Sequence, residues 1–159
     1  MREVREGIRI IDNVTVILTD ECTGKQRIFR SHNASLNYAL WAIAQWIGWK
    51  NNFGYQPVVP PSYVQLGSGS GTPGHADPGL FAPIAGAIGN MSYVEPNVPS
   101  NGTTTFVFQV PAGLATIQVT EALMLDSDGH GWYHTMFPVP FTPSATENIT
   151  IQWETTFSS

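Results

Sequence analysis

The 159-residue chain is 42% apolar but only 12% charged, against a usual charged share of ~25%, and its formal net charge is −5. That length suits one domain, or one domain with an arm, and is enough to bury a sizeable core. All seven basic residues lie in the first fifty positions, which sum to +2, whereas residues 51–159 hold no Lys or Arg and sum to −7. Phosphate backbones are bound through Lys and Arg, so nucleic acid is excluded as an expected partner for the larger part of the chain.

No apolar run approaches the ~20 residues that span a bilayer, and the opening MREVREGIRIID lacks the apolar block of a signal peptide. Synthesis in a cytoplasm, with no membrane partner, is the expectation. The lone Cys22 excludes an intrachain disulfide and a cysteine-rich zinc site, and reads as a small buried residue.

In chain order, residues 1–7 are polar, end in Gly7 and read as a flexible N-terminal arm, leaving 8–159 as a single β-rich domain. Ile8 to Leu18 alternates loosely and is rich in Ile, Val and Thr, which predicts a strand. The turn residues DECTG at 20–24 and a second strand over 25–30 complete a hairpin. One α-helix follows at about 34–48, with Ser31 or Asn33 as its cap. Leu36, Leu40, Ile43 and Ile47 lie on one face, and Gly48 closes it. Trp41, Trp46 and Trp49 crowd this segment, as core or as a surface that meets a partner.

Prolines 57, 60 and 61 make residues 51–62 a loop, and 63–66 a short strand. Leu66 to Pro83 holds five glycines and three prolines. Residues 84–94 are loosely apolar and carry no clear type. From Thr103 the pattern is clean. Strands are predicted around 105–110, 117–125, 132–139 and 149–157, apolar on one face and polar on the other, separated by turns at PAG (111–113) and SDGHG (127–131) and by a loop at 140–145. Read as a four-strand antiparallel meander, they imply a mainly β chain, an antiparallel sandwich or barrel-like domain with one helix and an N-terminal arm.

Few residues suggest chemistry. The glycine-rich stretch has no Lys, so it is not a P-loop, and no helix or parallel strand context follows for a dinucleotide site. Its glycines read as turns needing positive φ, with Asp77 bonding local N–H groups. Asp126, Asp128 and His130 imitate the start of a calcium loop, but the position that needs a bidentate acid is Phe137, so a β-turn is predicted. His130 and His134 have helical zinc spacing on a segment that reads as strand, where four residues span ~13 Å. No metal, cofactor or catalytic residue is therefore assigned. Glu121 alone stands out, at the apolar phase of its strand between Val119 and Leu123. A buried carboxylate needs partners, and the expected ones are backbone N–H groups of a neighbouring loop, with a catalytic acid the lesser reading.

Four pieces in order resemble small structural proteins of tailed bacteriophages: VTVILTDECTGKQRIFRSHN, YVQLGSGSGTPGHADPGLFAP, FVFQVPAGLATIQVTEALMLD and FPVPFTPSATENITIQWETTF. They cover most of residues 14–157. The Trp-rich helix and a longer loop at 50–62 depart from that pattern. The resemblance implies a non-enzymatic virion component, most like the capsid decoration proteins that clamp the heads of long-tailed thermophilic phages as trimers. It implies the major capsid protein or other virion proteins as partners, a homotrimer, and a place on the capsid exterior. Arg2, Val4, Arg5, Trp46, Trp49, Gln56, Pro57, Val58 and Val59 are the expected interface residues. A tail or baseplate component resembles the same pieces, and could bind host glycans through exposed Trp, Tyr and Asp in the 126–134 turn.

Overall fold

The structure, a computed structural model, describes residues 9–35, 37–48, 59–95 and 102–158. The elements are β1 (Arg9–Asp20), β2 (Gln26–Ser35), α1 (Asn37–Gly48), β3 (Pro61–Gly67), β4 (Pro83–Glu95), β5 (Thr103–Val110), β6 (Val119–Asp126), β7 (Gly131–Phe141) and β8 (Glu147–Ser158). All eight strands pair antiparallel into one barrel in the order β1-β2-β7-β6-β3-β4-β5-β8. The domain is thus mainly β and barrel-like, with a single described helix.

The β1–β2 hairpin forms where the turn chemistry requires it. The Asp20 carboxylate accepts the N–H groups of Cys22 and Thr23 at 3.1 and 2.7 Å. Gly24 takes φ 69°, which costs a residue without Cβ little. Cys22 lies in this turn and is exposed, not buried as expected; the turn is held to Thr146 and Asn148 by Asp20 and Glu21, its neighbours in sequence, and Cys22 stays on the surface.

The interior follows from alternation. Val14, Val16 and Leu18 of β1, Phe108 and Val110 of β5, and Ile149, Ile151 and Trp153 of β8 are each at most 1% exposed and form one cluster. In the register, Trp153 stands between Val14 and Phe106, and Ile151 between Val16 and Phe108. Burial of each such side chain contributes about 1.5–3 kcal/mol.

The expected strand order and the expected helix caps are both corrected. The last four strands are not a meander: of their three successive pairs only β6 and β7 are neighbours, while β5 and β8 pair with each other and with β4 and β1 respectively. Barrel closure brings the chain ends together, and alternation alone carries no information about neighbours. Residues 84–94, without a clear type in the sequence, lie in β4; Gly89 fits there because an added Cβ would lie 2.8 Å from the Gln109 carbonyl oxygen.

The helix is also displaced from its expected caps. Ser31 and Asn33 belong to β2, which continues to Ser35, and α1 begins at Asn37. Among its described side chains Ala39 and Ala42 are buried, whereas Leu40 and Trp41 are 37% and 39% exposed. Two alanines at this contact let the helix backbone approach its neighbour more closely there than Leu or Ile would. The expected arm at residues 1–7 lies outside the described residues.

β6 is buried along both faces, which sequence alternation does not show. Ala122 and Met124 point into the barrel cluster, whereas Leu123 and Leu125 join Tyr63 and Leu80 in a second cluster. Leu80 belongs to the glycine-rich segment between β3 and β4, so that segment covers the outer face of the sheet.

The barrel is closed unevenly. β2 and β7 pair at only three positions, Asn33–Thr135, Ala34–His134 and Ser35–Tyr133. Beyond them Phe29, Phe137 and Phe141 fill the inside of the seam, with Phe29 and Phe141 stacked at 4.8 Å and Phe137 edge-on to Phe141 at 5.1 Å.

Candidate functional site

The covering segment is fastened by Glu121. Its carboxylate is fully buried and accepts three backbone N–H groups from the segment's two ends: Gly69 and Ala82 donate to Oε1 at 2.9 and 2.8 Å, and Phe81 donates to Oε2 at 2.9 Å. The Thr120 hydroxyl donates to the Gly69 carbonyl, and the Ser68 N–H donates to the Ala82 carbonyl at 2.8 Å. The glycine-rich stretch does cradle an anion with its backbone, but the anion is the protein's own carboxylate.

His134 extends the network. Its Nε2 lies 2.9 Å from Glu121 Oε2, and both side chains are fully buried. An ionised carboxylate only accepts, so Nε2 carries the proton there. The ring's Nδ1 lies 3.4 Å from Asp77 Oδ2 without a hydrogen bond between them, and the Phe81 ring lies 5.0 Å from the imidazole. Asp77 in turn accepts the Gly74 N–H at 2.7 Å. Asp77, His134 and Glu121 therefore form one line, whose outer end opens on a hollow of about 260 Å³ lined by Asn37, His75, Asp77, Pro78 and His130.

Burial pushes the Glu121 carboxyl up, but the N–H groups of Ala82 and Phe81, the His134 ring and the Gly69 N–H outweigh it and hold the group below the usual range. It is an ionised anchor. Its chemistry as a general acid is correspondingly poor, since an acid needs a raised pKa to carry its proton near neutrality. Both ring nitrogens of His134 face carboxylates, so neither is directed at a hydroxyl or thiol as the base of a nucleophilic pair would be.

The glycines here act by size. An added Cβ at Gly67 would stand 2.5 Å from Glu121 Oε1, and at Gly69 it would stand 2.5 Å from both Glu121 Oε1 and Phe81 Cβ. The described glycines with positive φ are Gly24, Gly86, Gly102, Gly113 and Gly129, none of them in this stretch. The expectation of left-handed turns is thus corrected to one of close approach. A Gly69→Ala substitution is expected to cost about 1–3 kcal/mol by overpacking. Gly74→Ala, whose Cβ would have Asp77 Oδ1 at 3.9 Å, should change stability by less than about 0.5 kcal/mol. Urea midpoints of the two variants check the contrast.

The other sequence candidates resolve individually. Asp126 Oδ1 accepts the N–H groups of Asp128 and His130, both at 2.9 Å, and Oδ2 meets His130 Nδ1 at 3.0 Å, with Gly129 at φ 86°. The stretch is a β-turn, as expected, and among the described residues no group of three His, Cys, Asp or Glu side chains is placed to hold a metal. Trp132 and Tyr133 are only 3% and 2% exposed, so the 126–134 turn has no exposed aromatic platform for a sugar, contrary to expectation; they pack inward as β7 closes the barrel. Of the expected interface residues, Val59 is half-buried. Arg2, Val4, Arg5, Trp49, Gln56, Pro57 and Val58, and the side chain of Trp46, lie outside the described residues.

Sequence reading located Glu121 and its type of partner, but missed His134 and Asp77 as members of the same line. Their signal was available only weakly: His134 falls on a strand that also carries Trp132, Tyr133 and Phe137. A scan against protein-family models and searches of curated proteins and solved structures found no match to this chain.

Proposed function

We propose that this chain is a non-enzymatic structural protein of a tailed-phage virion, acting as a capsid decoration protein that holds shell subunits together through protein–protein contacts. The likeness of its four sequence pieces to that group supports the reading. The observation that carries it structurally is the engagement of Glu121. The most reactive-looking group in the sequence is completely enclosed, held ionised, and bonded to the backbone of a covering segment. Such an arrangement stiffens a surface. In keeping with a surface that meets other chains, Ile28, Tyr93, Ile117 and Val139 are 52%, 48%, 52% and 62% exposed.

A cementing protein adds binding free energy across a shell and needs no cleft. A homotrimer is the proposed form, with the major capsid protein as partner and the capsid exterior as location. Purified protein mixed with capsids stripped of accessory proteins should cosediment with them and raise the temperature at which they rupture. Native mass spectrometry should give three copies. Protein that stays monomeric, leaves the shells unstabilised and binds no head would overturn the proposal. Cosedimentation with isolated tails instead would transfer it to the tail or baseplate.

A further inference from the structure

We propose that the open seam between β2 and β7 is a strand-acceptor site, which takes an extended acidic segment of a partner protein as an added strand on the β7-facing edge of β2. The inference needs only the seam and is independent of the virion reading.

The seam is unzipped for a reason visible in the sequence. The His32 carbonyl accepts the Thr135 hydroxyl at 2.9 Å and so points toward β7; in an antiparallel strand the N–H and C=O groups of Ile28 and Arg30 then point the same way. On the other side the Met136 carbonyl accepts the Ser31 hydroxyl at 2.6 Å and points toward β2. The same alternation would aim the N–H groups of residues 138 and 140 at β2, but both are prolines and carry none. β7 also pulls away from β6 here, where Glu121 pairs with Met136 but Val119 pairs with Phe141. Consequently no ladder pair joins residues 27–32 of β2 to residues 136–141 of β7. Side chains bridge the gap at its two ends: Ser31 and Thr135 at one, and Arg27, donating to the Thr142 carbonyl at 3.0 Å, at the other.

An unpaired strand edge is a template for another chain, which adds by main-chain hydrogen bonds and is selected by alternate side chains. A hollow of about 670 Å³ lies along this edge, bounded by Asn13, Thr15, Arg30, His32, Met136 and Pro138. Its lining includes no carboxylate. The outward side chains of β2 here are Ile28, Arg30 and His32, all exposed. Arg27 is already engaged, bidentate to Glu147 at 2.9 and 2.6 Å, so Arg30 is the cation offered to the incoming strand. The complementary strand carries an apolar residue opposite Ile28 and Asp or Glu opposite Arg30. A second β2 fits poorly, because a two-fold pairing about the middle of the edge would oppose Arg30 to Arg30.

The test uses the full chain and a ten-residue peptide alternating Val and Glu, with a Val/Lys version and a version carrying Pro at alternate positions as controls. Amide hydrogen exchange at Ile28 and Arg30 should slow at least about tenfold with the Val/Glu peptide and remain unchanged with either control. Arg30→Glu, at an exposed position, should weaken the Val/Glu peptide about tenfold and admit the Val/Lys one. Absence of protection at millimolar peptide, equal protection by all three peptides, or an Arg30→Glu protein that binds the Val/Glu peptide unchanged would overturn the proposal. So would protection that rises with protein concentration in the absence of peptide, which would assign the edge to a second copy.

Discussion

Replacing Glu121 by Ala should cost about 3–5 kcal/mol, a fall in Tm of roughly 6–20 °C for a domain of this size. The size of the effect comes from what is left behind. Three backbone N–H groups and the His134 Nε2 proton would lose their acceptor in a site closed to water. Each buried orphan donor costs about 1–3 kcal/mol unless the segment opens and water enters, which caps the sum. Opening would also bare Leu123 and Leu125, now covered with Leu80. Glu121→Gln keeps one acceptor oxygen but sets an amide N–H₂ against backbone donors, so its loss should be smaller yet still measurable. Urea denaturation at pH 7 checks both, and amide exchange over residues 68–82 should rise first. An Ala variant with the parental midpoint would mean that the segment is held by other contacts.

The same group gives stability a pH dependence of known sign. Its folded pKa is depressed relative to the ~4.3 of an unfolded Glu, so its contribution is complete above that value and is lost as pH falls through the folded pKa. Glu147 acts in the same direction, held down first by the Arg27 hydrogen bond. Urea midpoints should therefore be flat from neutrality to about pH 5 and then fall, with a shallower fall in the Glu121→Ala protein.

The second large effect is expected at Trp153. Trp153→Ala should cost about 3–5 kcal/mol, because it removes the largest fully buried side chain among the described residues from the barrel's core cluster. The Tyr133 ring, 6.1 Å away, would lose its neighbour, and Val14 and Phe106 on the two flanking strands would face a void. Trp153→Phe retains part of the volume and should lose less. Equilibrium unfolding followed by near-ultraviolet circular dichroism checks the order. Unlike Glu121→Ala, this variant should keep the parental pH dependence below neutrality, since no carboxylate partner is altered.

These two residues show how much the sequence discloses. Trp153 is legible as core from the alternation of Ile149, Ile151, Trp153 and Thr155, which are all buried on β8. Glu121 is legible as an anomaly, because a charge at an apolar phase must be satisfied by something. What satisfies it was readable only as a class. His134 and Asp77 lie 13 and 44 positions from Glu121, and no local pattern joins them.

The chain alone determines its β-rich character, its inward residues on β5 and β8, the hairpin turn at Asp20, and its division into a basic head and an acidic remainder, because these depend on period, turn chemistry and composition. Tertiary structure decided the order of strands around the barrel and the use of Gly67 and Gly69 as space for a carboxylate. It also decided the second buried face of β6 and the seam that Pro138 and Pro140 leave open. The physical reason is one of range. Alternation states which side of a strand is apolar, but which strand lies next to it, and what covers its outer face, depends on contacts between residues far apart in the chain.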